Sequence, residues 1–173
     1  MKNIPNALTI FRIALAPVFI YVYFSKFENH HFIALSVFLL ASLTDILDGC
    51  LARKYNVVSK LGIALDPLAD KIMLLSVLGS FYSDNLIPGV IFLLMLFIES
   101  TLIVAGALVY FKEDLSVMPS NRLGKGATFA FTFAIVIVFL IPESALSLAA
   151  VILAAMMKTA AFIGYLKNMP NIR

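Results

Sequence analysis

Charge is what this chain has least of. Its 173 residues include 13 basic and 10 acidic side chains, 13% charged in all, where a soluble domain carries about 25%. With 62% hydrophobic residues and a mean hydropathy of +1.00, that scarcity excludes an ordinary soluble globule and points to an integral membrane protein. Cysteine is almost absent: the single Cys50 can form no internal disulfide and has no second thiol for a metal site, which leaves a packing role beside Gly49. His30 and His31 have no further His or Cys to accompany them and read as interfacial side chains rather than ligands. Internal repeats and low-complexity tracts are missing. So is any basic stripe with interleaved aromatics, which argues against nucleic acid as a partner. The net charge of +3 reads instead as topological bias and attraction to anionic lipid headgroups.

Short alternating segments are lacking too, which excludes a membrane β-barrel. Present instead are long apolar runs at residues 8–25, 32–50, 61–82, 86–111, 122–141 and 144–166. Each approaches the roughly 20 residues needed to cross a bilayer as a helix. The expected architecture is therefore all-α, six transmembrane helices in one bundle and one domain over residues 1–173. Arg12 lies inside the first run and no small-residue cleavage site follows Tyr23-Phe24-Ser25, so that run is expected to stay as the first span. With the N-terminus cytosolic, Lys2, Arg53, Lys54, Lys60, Lys112, Arg122, Lys125, Lys167 and Arg173 all fall on the cytosolic side. Only Lys26 falls outside, together with Glu28, Asp84 and Glu143, as the positive-inside rule requires. Both termini are then cytosolic.

Against this background, four carboxylates in two apolar runs demand a reason. Asp45, Asp48, Gly49, Ala52, Arg53, Gly62, Asp66 and Asp70 read D-x-x-D-G-x-x-A-R, eight residues, G-x-x-x-D-x-x-x-D. In helices Asp45 and Asp48 are spaced i,i+3 and Asp66 and Asp70 i,i+4, so each pair shares a face. With the turn at Tyr55-Asn56-Val57-Val58, an antiparallel hairpin brings the two pairs level, roughly 10 to 20 Å along the helices from that turn. Four such charges in a poorly solvated pocket must be protonated or offset by cations, and two divalent ions would neutralise them. All-oxygen ligation without nearby His or Cys favours Mg²⁺ or Mn²⁺. Gly49 and Ala52 leave room for a ligand, Gly62 allows close backbone approach, and the planar fork of Arg53 suits a phosphate. Pro67 is expected to tilt the third helix and free a carbonyl near the site. The sequence shows no activated Cys or Ser-His pair, consistent with phosphoryl-type transfer that relies on positioning and charge neutralisation.

The pattern from Asp45 to Asp70 resembles the complete signature of the CDP-alcohol phosphatidyltransferase family, and the six-span layout extends the resemblance over the whole chain. The start, Ile4-Pro5-Asn6 with Leu8-Thr9 and Arg12 before Pro17, is similar to bacterial phosphatidylglycerophosphate synthases. The resemblance implies phospholipid synthesis at the cell membrane, with the active site facing the cytosol. Asp45, Asp48, Asp66 and Asp70 would hold two divalent cations, and Asp70 would also serve as general base. Asp48, Gly49, Ala52, Arg53 and Gly62 would bind the CDP part of CDP-diacylglycerol, and CMP would leave. Ser120-Asn121-Arg122 and Leu123-Gly124-Lys125 with Thr128 are similar to the acceptor segment of those synthases. Arg122 and Lys125 would then hold an acceptor phosphate; the plain alternative is a positive-inside anchor pair at a helix end.

Two positions depart from that pattern: Ala127 stands where the synthases carry a second Lys, and Glu99 lies near a position where they carry Arg. The acceptor is read as glycerol 3-phosphate, with phosphatidylglycerol, as in cardiolipin synthases of the family, as the alternative. Glu99 has three possible settings: paired with Arg12 or Lys158, protonated, or lining the acceptor cavity. Small residues at Gly106, Ala107 and from Ala145 through Ala161 suit close helix contacts or the homodimer common in the family. From another class, a cation or proton transporter would also use intramembrane acids. It would spread them across the membrane depth, whereas these cluster on one side.

Overall fold

The computed structural model describes residues 4–55, 60–111 and 122–167, with side chains described within 8–47, 68–105 and 123–167. The described residues form six helices, α1 (Ile4–Tyr23), α2 (His30–Tyr55), α3 (Lys60–Ser83), α4 (Gly89–Phe111), α5 (Arg122–Leu140) and α6 (Ala145–Lys167). Three of the described stretches, His30–Leu47, Leu123–Leu140 and Ala145–Lys167, are long and apolar enough to cross a membrane, and Leu8–Tyr23 and Gly89–Ala105 are shorter apolar helices. Only 28 to 33% of each long window is buried, while Val90, Phe97, Phe129 and Phe133 are exposed. Apolar side chains on both inner and outer faces suit lipid on the outside.

Local chemistry sets the helix ends. α3 stops at a Schellman turn: the Leu86 amide donates to the Phe81 carbonyl at 2.9 Å and the Asn85 amide to that of Tyr82 at 3.1 Å. Asn85 takes the left-handed conformation, φ 58°, that such caps require. Ser144 caps α6, its hydroxyl accepting the Leu146 amide at 3.2 Å, as expected at an N-cap. Gly89 opens α4 where a Cβ would stand 3.0 Å from the Tyr82 ring, so the start of α4 lies close against α3. Within α1, Pro17 has no N–H to offer the Ile13 carbonyl. Elsewhere in the helices hydroxyls bond their own backbone, Ser42 to the Phe38 carbonyl at 3.0 Å and Thr132 to that of Thr128 at 3.1 Å. That satisfies donors which lipid could not.

Helix direction alternates along the chain. The Tyr23 hydroxyl donates to Asp84 at 2.7 Å, joining the end of α1 to the end of α3, and Tyr82, Asn85 and Pro88 share a cavity with Glu143 and Ser144. The turns after α1, α3 and α5 therefore gather at one end of the bundle. α1 packs along both α2 and α3, α5 along α6, and α3 along α4, whereas α2 and α3 touch each other much less. The core runs through Leu15, Phe19, Phe38, Val77, Met95, Ile98, Ile135 and Val151. It is capped at the turn end by tilted and edge-on contacts among Tyr23, Phe81 and Phe139, with centroids 5.0 to 6.2 Å apart, a favourable aromatic geometry. His30 and His31 lie at this same end, His30 Nδ1 2.8 Å from the Tyr23 carbonyl, well away from the acidic positions.

Candidate functional site

Asp45 on α2 and Asp70 on α3 open onto one cavity of about 720 Å³. Of the four predicted carboxylates, these two have described side chains. Asp48 and Asp66 fall outside the described side chains, as do Gly49, Cys50, Ala52, Arg53, Gly62, Pro67, Gly106, Ala107 and Arg122. Asp45 is 46% exposed and pairs through Oδ1 with Nη1 of Arg12 at 2.6 Å, while the Arg12 side chain is only 2% exposed. A guanidinium on α1 thus holds the carboxylate from one side. Behind the cavity, Asp70, Arg12 and Lys158 also border a chamber of about 30 Å³, space for about one water.

The cavity has two kinds of wall. Ile98, Leu102, Phe129 and Phe162 form an apolar flank, while Asp45, Asp70, Lys71, Lys125, Lys158 and Tyr165 bring polar groups to it. It therefore suits a ligand with a charged part and a hydrocarbon part. Of the acceptor candidates, Lys125 lines it beside Thr128 and Ala127, with Ala127 buried. Glu99 does not reach the wall. It is fully buried on α4, where Lys158 Nζ meets Oε1 at 2.5 Å and Lys71 Nζ meets Oε2. Of the pairings considered from sequence, Lys158 is therefore present. Arg12 pairs with Asp45 rather than with Glu99, because α4 packs chiefly on α3 and α6.

Lys71 was missed as a partner of Glu99, as was the Arg12–Asp45 pair. The signal available was the rule that intramembrane charges pair, applied to Lys71 and Arg12 as well as to Glu99. Lys158 also lies 5.7 Å from the Phe131 ring centroid, a contact that helps hold a desolvated ammonium.

Among the described residues no group of three His, Cys, Asp or Glu could by itself hold a metal ion. The described donors nevertheless fit a hard divalent cation. Asp45 and Asp70 face one cavity with no His or Cys among its described lining residues, and carboxylate oxygens are what Mg²⁺ and Mn²⁺ prefer.

The family model described as CDP-alcohol phosphatidyltransferase matches residues 2–162. A Rickettsia typhi protein named CDP-diacylglycerol--glycerol-3-phosphate 3-phosphatidyltransferase is 40% identical over 143 residues, covering 81% of this chain and 78% of its own length. A Rickettsia felis protein of the same name is 35% identical over 139 residues, 80% of this chain and 76% of its own. A Mycobacterium bovis protein named putative cardiolipin synthase is 34% identical over 129 residues, 75% of this chain and 60% of its own.

Proposed function

The chain belongs to the CDP-alcohol phosphatidyltransferase family, and on that premise we propose that it transfers a phosphatidyl group from CDP-diacylglycerol to glycerol 3-phosphate. The observation that carries the reading is one cavity lined by Asp45 and Asp70 together with lysines and with apolar side chains. A nucleotide-linked lipid needs such a mixed setting, with a charged pyrophosphate and hydrocarbon tails. The names of the relatives in Rickettsia support glycerol 3-phosphate as the acceptor.

In this reading Asp45, Asp48, Asp66 and Asp70 hold two divalent cations, Mg²⁺ or Mn²⁺, which when bound supply charge neutralisation at the pyrophosphate. Asp70 takes the proton from the acceptor hydroxyl. The hydroxyl oxygen bonds to the phosphorus nearer the lipid as the bond from that phosphorus to the bridging oxygen breaks, and CMP departs with the electron pair. Asp48, Gly49, Ala52, Arg53 and Gly62 hold the CDP end, and Arg12 orients Asp45 through the 2.6 Å contact. The bundle spans the cell membrane six times, with both termini and this cavity on the cytosolic side, where the basic residues cluster.

A second reading, phosphatidylglycerol as acceptor, is favoured by the apolar flank of the cavity and by the relatives named putative cardiolipin synthase. Reconstitution in liposomes with CDP-diacylglycerol and Mn²⁺ or Mg²⁺, offering each acceptor in turn, separates the two by the lipid product. CMP release with glycerol 3-phosphate, reduced about 10²- to 10⁴-fold in Asp70→Asn, is the expected result. No CMP with any acceptor, or full activity in Asp70→Asn, would refute the mechanism.

A further inference from the structure

Three of the scarce charges of this chain converge beside the acidic pair. Lys71 on α3 and Lys158 on α6 grip the two oxygens of Glu99 on α4, one ammonium to each oxygen. Two ammonium groups held this close repel each other, and the carboxylate between them offsets that repulsion. An ammonium has three N–H donors, and each lysine spends one on Glu99. Both lysines also line the cavity, as do Asp70, Lys125 and Thr128. Glu99 itself is fully buried behind them and cannot touch a ligand there.

We propose that Glu99 is a positioning residue: by bridging Lys71 and Lys158 it builds a paired-ammonium subsite on the cavity wall for the phosphate end of a phosphomonoester acceptor. The charges favour a monoester over a diester. With the carboxylates of the acidic site offset by the cations that the transferase reading places there, Lys71, Lys158 and Glu99 sum to one positive charge and Lys125 adds a second, matching a phosphomonoester dianion better than the single charge of a phosphodiester. Because Asp70 shares this cavity, a short polyol phosphate seated on the two ammonium groups turns its far hydroxyl toward the carboxylate proposed to take its proton. The inference rests on the transferase reading and assigns its acceptor subsite to α3 and α6, in addition to the α5 pair expected from sequence.

The test is steady-state kinetics of the reconstituted enzyme with Glu99→Gln and Lys158→Met, varying glycerol 3-phosphate at saturating CDP-diacylglycerol and then the reverse. Lys158→Met leaves Glu99 paired with Lys71, so it keeps the proposal testable even where Glu99→Gln does not fold. Each variant is expected to raise KM for glycerol 3-phosphate about 10- to 100-fold, the worth of a charge-assisted hydrogen bond. Both kcat and KM for CDP-diacylglycerol should move less than about threefold. Lys158→Arg, which keeps the charge, should recover part of the loss. A purely structural trio would lower thermal stability and the amount of active enzyme without moving KM, and that result overturns the proposal. So does a lowered KM, or an equal loss with phosphate-free glycerol as acceptor. Absence of CMP release in the parent enzyme would instead overturn the transferase reading.

Discussion

Removing the carboxylate of Glu99 should cost far more stability than removing either lysine that holds it. Glu99 is fully buried, and the side chains of Lys71 and Lys158 are 13% and 9% exposed, so water repairs little. Lys158→Met leaves Glu99 one cation, and Lys71→Met does the same. Each should cost about 1 to 2 kcal/mol, the net worth of a charged hydrogen bond whose acceptor keeps another partner. Glu99→Gln removes the counter-charge of both ammonium groups and turns an NH₂ donor toward one of them, and should cost about 3 to 5 kcal/mol, the range for breaking a buried pair from one side. Lys71→Met with Lys158→Met leaves the carboxyl with neither lysine. The double variant should exceed the sum of the single losses by about 1 to 3 kcal/mol, and adding Glu99→Met to it should restore most of the loss, since a matched apolar trio has nothing to desolvate. The assay is equilibrium unfolding of the purified protein in mixed micelles, with SDS as denaturant and helix content as the signal. Additive lysine losses, or a Glu99→Gln cost no larger than that of Lys158→Met, would refute the reasoning.

Other outcomes follow from the same structure. Chelation by EDTA should abolish CMP release, and either Mn²⁺ or Mg²⁺ should restore it; activity that persists in excess chelator would contradict the proposed role of the carboxylates. Tyr23→Phe removes the hydroxyl that donates to Asp84 at 2.7 Å. Because Asp84 is exposed and water can replace that donor, the expected loss is only about 1 kcal/mol in the micelle assay, with KM for both substrates unchanged. In a Cys50→Ser background, Lys26→Cys should react with a membrane-impermeant maleimide on intact cells, and Lys167→Cys only after permeabilisation; the reverse pattern would invert the proposed topology.

The number and order of the helices were legible because hydropathy is a strong signal in a chain that lives in lipid. Their ends were less so. The second apolar run stops at residue 50, yet α2 continues to Tyr55, because Ala52, Arg53 and Lys54 are good helix formers although two of them are charged. The fourth run starts at residue 86, but α4 begins only after Pro88, which ends the preceding turn. Asp45 and Asp70 were legible as a pair from spacing alone, since hairpin symmetry needs no knowledge of packing. The partners of Glu99 were not, because they depend on which helices touch. Arg12 is a plausible partner by composition, but α1 packs on α2 and α3 while α4 packs on α3 and α6. Lys71 escaped notice because it follows Asp70 directly, and adjacent helical residues point about 100° apart, so one can face the acidic pair while its neighbour reaches α4.

The two departures at Ala127 and Glu99 make sense together rather than singly. A neutral side chain at 127 and an acid at 99 would each seem to strip an acceptor pocket of positive charge. In the fold, however, Ala127 lies buried on the cavity wall, and the same cavity receives ammonium groups from α3 and α6. The second lysine that position 127 lacks is matched by Lys71 on α3 and Lys158 on α6, and two ammonium groups brought together there repel each other unless a counter-ion lies between them. Glu99 is placed to be that counter-ion, one oxygen to each lysine. An acid near a position where similar synthases carry a base is then no simple loss of positive charge: Glu99 lies buried behind the cavity and holds two lysines on its wall.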